Sequence, residues 1–132
     1  MLHTITVIQF SKMLGNLSAI LDKAETFAES KKIDMTVLLN SRLSANQFSL
    51  ISQIQISCDT AKNAVARLTA NVESMPKFED NETTIAELQT RISSVQEYLA
   101  GFKEEDFGNA GAERISQPRW KEKYMDCATL RL

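Results

Sequence analysis

FSKMLGNLSAILDKAETFA, residues 10–28, decides the fold. Phe10, Met13, Leu14, Leu17, Ile20, Leu21, Ala24, Phe27 and Ala28 recur at three- and four-residue steps, which is one face of an α-helix. The pattern predicts a helix from about Ile5 to Ser30, closed by Lys31 and Lys32, whose charges suit the negative end of the helix dipole. Gly15 interrupts it at a cost of ~1 kcal/mol relative to Ala. Close approach of a neighbouring helix would account for a glycine there.

Two further long helices follow the same logic. Phe48, Ile51, Ile54, Cys58, Ala61, Val65 and Leu68 share one stripe, predicting a helix over about Ala45 to Asn71 with Ser44 or Asn46 as its cap. Ala61, Ala64 and Ala66 thin its second half, where another helix can pack closely. Thr84 and Glu87 have capping-box spacing. Behind them Ile85, Leu88, Ile92, Val95, Leu99 and Phe102 step by three and four, the rhythm of left-handed helix packing, until Gly101 marks the stop. Between the first two long helices, Asp34 can cap a short helix near 35–42 through Met35, Val37, Leu38 and Leu39, with Leu43 closing it. The periodicity lapses over Val72 to Asn81, where Pro76 forbids helix and Phe78 reads as a plug on the bundle's end.

The expected fold is therefore all-α: a bundle of three long antiparallel helices, one short helix and an irregular C-terminal arm. The 132 residues suit one domain, with a core over about 5–102 and a tail over about 103–132. In that tail Ile115 to Tyr124, with Pro118 and Trp120, reads as an arm laid over the bundle. The stretch Met125 to Leu132 is too short for a stable helix by itself.

Composition excludes several functional classes. The net charge is −2, with acids and bases interleaved and no basic stripe, so nucleic acid is not an expected partner. Met1–Leu21 is broken by Gln9, Ser11, Lys12 and Asn16 and lacks a basic start. No apolar run approaches the ~20 residues of a spanning helix. No membrane association is expected, and the default location is the cytoplasm. Cys58 and Cys127 then read as free thiols, Cys58 as a small buried hydrophobe.

Catalytic constellations are equally scarce. His3, on an N-terminus expected to fray, is the sole histidine. Neither a histidine-rich zinc site nor paired Glu-x-x-His motifs can be assembled, and a triad would have to recruit His3. No glycine-rich phosphate loop follows a strand. No metal and no cofactor is expected. The candidate polar site is on the second long helix, where Gln53, Gln55, Asp59 and Lys62 cluster. Asp59 and Lys62 can pair on its surface for ~0.2–0.5 kcal/mol. With Arg42 just upstream, Gln55, Asp59 and Lys62 form either a small polar pocket at one end of the bundle or a structural network tying the short helix to the second long one.

The first-helix string from Met13 to Ala24 resembles the corresponding motif of a domain-of-unknown-function family in the DinB/YfiT-like clan. So do Leu39 to Leu43 with its Arg42-Leu43 pair, Gln53-Ile54-Gln55, Asp59-Thr60-Ala61-Lys62, Ala66-Arg67-Leu68 and Phe78-Glu79-Asp80 ahead of Glu87-Leu88. The resemblance covers roughly residues 5–124, its first-helix string being the most specific part. It implies a four-helix bundle, often dimeric, found in bacteria and fungi; relatives elsewhere in the clan include metal-dependent, thiol-using transferases. Two departures stand out. The family continues past the Trp120 region into a fourth helix, whereas this chain reaches Met125-Asp126-Cys127 and ends, as if truncated or altered in reading frame. The clan's three-histidine metal site has no counterpart at any matching position.

Three amphipathic helices leave one face open. The leading expectation is a non-enzymatic module, a homodimer or the receptor of a partner helix that covers that face. The alternative is a divergent or truncated thiol-dependent transferase, with Asp59, Lys62 and Arg42 near its substrate.

Overall fold

The computed structural model describes residues 2–108. The expected arm with Trp120, the thiol of Cys127 and the stretch from Met125 onward lie outside the described residues. Among the described residues every regular element is helical. A wide π-helical stretch, Thr4–Ile8, opens into α1, Gln9–Lys31; α2, Met35–Leu39, is short; α3, Leu50–Leu68, and α4, Ile85–Ala100, are long, and 3-10 turns at Val72–Ser74 and Glu104–Phe107 follow them. Within the π-helical stretch the Thr6 hydroxyl donates to the Leu2 carbonyl at 2.6 Å.

The predicted caps hold α2 and α4 in place. Asp34 accepts from the Thr36 amide at 2.9 Å. Thr84 and Glu87 form the full capping box. At the C-terminal end of α1, Lys32 takes the left-handed conformation with φ 54°, so the Ile33 amide reaches back to the Ala28 carbonyl at 2.9 Å. Ala70 does the same after α3 with φ 56°, the Asn71 amide reaching the Ala66 carbonyl at 2.8 Å.

Expectation and structure part at the start of α3. The helix begins at Leu50 behind Ser49, later than Ala45, and ends at Leu68, before Asn71. Ser41, Ser44 and Asn46 spend their side chains on local hydrogen bonds that favour turns over helix. Phe48, expected on the apolar stripe of this helix, and Leu43, expected to close the short helix before it, are left outside the core, 64% and 96% exposed.

The core is centred on α4. Its stripe Ile85, Leu88, Ile92, Val95 and Leu99 is buried to 4% exposure or less. α1 supplies Leu14 and Leu21, and α3 supplies Ile54, Cys58 and Val65. Each such aliphatic side chain contributes about 1.5–3 kcal/mol by leaving water. Gln96 donates to the Ser11 carbonyl at 2.8 Å and Gln89 to Asp22 at 2.6 Å, so α4 runs antiparallel to α1. Gly15 lies at this contact: a Cβ there would stand 3.4 Å from Gln96 Nε2, in keeping with the close approach expected from sequence.

Direction along the bundle is one correction to the expected topology. α3 also runs antiparallel to α1, since Ile56 and Ala61 share a cavity with Met13 while Leu50 and Gln53 share another with Phe27. Hence α3 and α4 are parallel to each other. The chain must return along the bundle between them, roughly 28 Å at ~1.5 Å per residue. Residues 69–84, which hold no α-helix and one 3-10 turn at Val72–Ser74, do this; extended chain covers ~3.3 Å per residue, so the length is ample. Long crossovers of this kind occur among helical bundles.

Candidate functional site

The crossover lies across the seam between α3 and α4, and there the polar site assembles. Arg91 projects from the buried face of α4 and is 2% exposed. Its Nη2 donates to Asp59 Oδ1 on α3 at 2.9 Å, and its Nη1 to Asp80 Oδ1 at 2.8 Å and Glu82 Oε1 at 3.0 Å on the crossover. Lys62, 5% exposed, lies 3.1 Å from the same Asp59 oxygen and donates to the Pro76 carbonyl at 3.0 Å. Gln55 Nε2 donates to Glu82 Oε2 at 2.8 Å. The Phe78 ring lies against both cations, 4.7 Å from Lys62 Nζ and 5.2 Å from Arg91 Cζ. Phe78 therefore covers the seam, not the bundle's end.

The electrostatics follow from this packing. Burial works against the charge on Arg91, but Asp80, Glu82 and Asp59 outweigh it and raise its affinity for the proton. Partial burial pushes the Glu82 carboxyl up; hydrogen bonds from Gln55, its own backbone amide and Arg91 prevail and hold it below the ordinary carboxylate range. Cys58 sits on the core side of this cluster, where burial pushes its thiol up to about 11. Such a thiol is a poor nucleophile at neutral pH.

Of the predicted site residues, the fold brings together Gln55, Asp59 and Lys62 and leaves Arg42 elsewhere. Arg42 follows α2, exposed, with its Nη1 donating to the Gln47 carbonyl at 3.1 Å. It lines a different cavity together with Gln53. The reason is the late start of α3, which places a turn between Arg42 and the helix it was expected to touch. Lys62 is also not the surface partner that i,i+3 spacing suggested, because the crossover buries it.

The central member, Arg91, has a sequence signal that the periodicity alone passes over. It stands between Leu88 and Val95 on the apolar face, where a cation requires partners, and acids at 79, 80 and 82 lie just upstream. His3 departs from expectation as well. Its Nε2 donates to the Phe102 carbonyl at 2.9 Å and its ring meets Phe107 edge-on at 6.0 Å, so the helix start is tied down. Among the described residues no three His, Cys, Asp or Glu side chains are grouped to hold a metal ion.

A second feature is apolar. Of the α1 stripe, Leu14, Leu21 and Ala28 are buried and Phe10 and Leu17 pack partly against the core; Met13, Ile20 and Phe27 remain 61%, 60% and 50% exposed. With Ile56 and Ala61 of α3, Met13, Leu17 and Ile20 line a groove of about 470 Å³ between the two helices. A second cavity of about 450 Å³, with Ala24, Phe27, Leu38 and Leu50 in its walls, occupies the other end of the same pair.

Among the described residues the fold is all-helical, with α4 at its centre and a long crossover between parallel helices. The chain belongs to the family described as a domain of unknown function, DUF1993, which matches residues 2–131. It is similar to the crystal structure of a DinB family member protein from Shewanella denitrificans. The identity is 64% and the TM-score 0.92, over 96% of this chain and 71% of that one. None of the curated proteins matches it. Among the described residues no helix is long and apolar enough to cross a membrane.

Proposed function

We propose that this protein is a non-enzymatic binding module of the cytoplasm whose α1–α3 groove receives an apolar helix, supplied by a second copy of the chain or by another partner. The observation that carries this reading is the divided stripe of α1. Three large apolar side chains, Met13, Ile20 and Phe27, are half or more exposed at regular seven-residue spacing, beside a groove that Ile56 completes on α3. Exposed apolar stripes of that size mark interaction surfaces in helical proteins.

The alternative, a divergent transferase working at Asp59, Lys62 and Arg42, draws no support from the geometry. Asp59, Gln55 and Lys62 spend their polar atoms on Arg91, Glu82 and Pro76, and Arg42 lies apart. The test is sedimentation of the full chain at micromolar concentration, with binding of a hydrophobic dye as a second readout. A self-associating species, or a monomer that binds dye, is expected, and Ile20→Glu should reduce either property. A compact wild-type monomer that binds no dye overturns the proposal.

A further inference from the structure

The cavity at the far end of α1 differs from the groove in one respect: it has a cation on its rim. Its walls are aliphatic and aromatic, with Leu38 and Leu50 half-buried inside and Phe27, Leu43 and Phe48 exposed around the mouth. At about 450 Å³ it has the size of a small-molecule pocket. Arg42 is the one charged residue in its lining. The guanidinium spends Nη1 on the Gln47 carbonyl, and among the described residues no carboxylate pairs with it. Arg91, by contrast, has three carboxylates around it.

We infer that this cavity binds a small amphipathic carboxylate, its alkyl chain among Phe27, Leu38 and Leu50 and its headgroup on Arg42. Charge complementarity selects the occupant. A lone guanidinium beside an apolar wall favours an anion with an apolar body over a neutral hydrocarbon, and its planar fork matches the two oxygens of a carboxylate. Phe48 and Leu43, left outside the core by the late start of α3, become the side chains the alkyl chain covers. This site shares Phe27 with the exposed stripe proposed above for a partner, but lies outside the groove lined by Met13, Ile20 and Ile56.

The full chain should be titrated with decanoate, decanol and acetate, following methyl and aromatic chemical shifts. Decanoate is expected to perturb Leu38, Leu50 and Phe27 and to bind about tenfold more tightly than decanol, while acetate binds no more than weakly. Arg42→Gln should weaken decanoate about tenfold and leave decanol unchanged. Ile20→Glu, in the other groove, should leave decanoate binding intact even if it abolishes partner binding. Equal affinity for decanoate and decanol, an unaltered Arg42→Gln variant, or shifts confined to Met13 and Ile56 would each overturn the inference. Because the shift map locates binding in the wild-type chain, the test survives a variant that fails to fold.

Discussion

Arg91 of α4 donates through Nη2 to Asp59 of α3 at 2.9 Å, and the same guanidinium gathers Asp80 and Glu82 from the crossover between those helices. One buried cation thus fastens three segments that local sequence does not connect. Removing it leaves the largely buried Glu82 carboxylate, 10% exposed, without its cation, while Asp59 and Asp80, 36% and 61% exposed, keep contact with water. Arg91→Met should destabilise the protein by about 3–5 kcal/mol, read from urea denaturation at neutral pH. Arg91→Lys, which keeps the charge and loses the fork, should recover only part of that loss. A midpoint unchanged in Arg91→Met would mean the cluster contributes nothing to stability.

Acid should act on the same cluster. The Glu82 carboxyl is held below its usual value of 4.5, so the folded state binds its proton less readily than the unfolded chain. The stability it confers is present above that value and is lost as pH falls through the lower, folded value. Glu87, whose carboxylate accepts from the Thr83 and Thr84 amides, shifts in the same direction. Thermal unfolding followed from neutral pH into the acid range should show this decline, and Glu82→Gln should flatten its slope. An equal slope in the variant would contradict the assignment.

The two left-handed residues give a separate handle. Lys32 and Ala70 adopt φ 54° and 56°, a conformation costing L-residues about 1–2 kcal/mol. Glycine relieves that strain but adds freedom to the unfolded chain. Lys32→Gly and Ala70→Gly should each stabilise by roughly 0.5–1 kcal/mol, observable as a rise in Tm.

At Gly15 the contact with Gln96 sets a size limit. An added Cβ would sit 3.4 Å from the Gln96 amide, itself bonded to the Ser11 carbonyl. Gly15→Ala should therefore be neutral or gain at most about 1 kcal/mol from helix propensity. Gly15→Leu should cost about 1–3 kcal/mol by forcing α1 and α4 apart. Chemical denaturation of both variants would distinguish these outcomes.

Cys58 should be inert while the protein is folded. In a Cys127→Ser background, a thiol reagent at pH 7 should react with Cys58 at the rate of unfolding, because the thiol is 0% exposed and its pKa is raised to about 11. Rapid labelling of the native protein would place Cys58 outside the core.

Much of the fold is legible residue by residue. The stripe of α4, the capping box at Thr84 and Glu87, the Asp34 cap and the burial of Cys58 all follow from spacing within one helical segment. The candidate site was legible only in part. Gln55, Asp59 and Lys62 share a helix, so their proximity is local. Arg91, Asp80 and Glu82 join them through a crossover whose path no short-range pattern encodes. Arg42 was misplaced because serine and asparagine side chains between α2 and α3 bond locally and delay the helix.

By itself, then, the sequence determined where chain becomes helix and which faces are apolar, because hydrogen bonding and side-chain periodicity are properties of neighbours. Tertiary structure alone decided that α3 and α4 run parallel, that Arg91 and Lys62 are buried charges, and that Met13, Ile20 and Phe27 of the α1 stripe stay exposed. Those outcomes depend on which segments meet across the bundle. An apolar face is written in the chain, but only the arrangement of the other helices decides whether anything covers it.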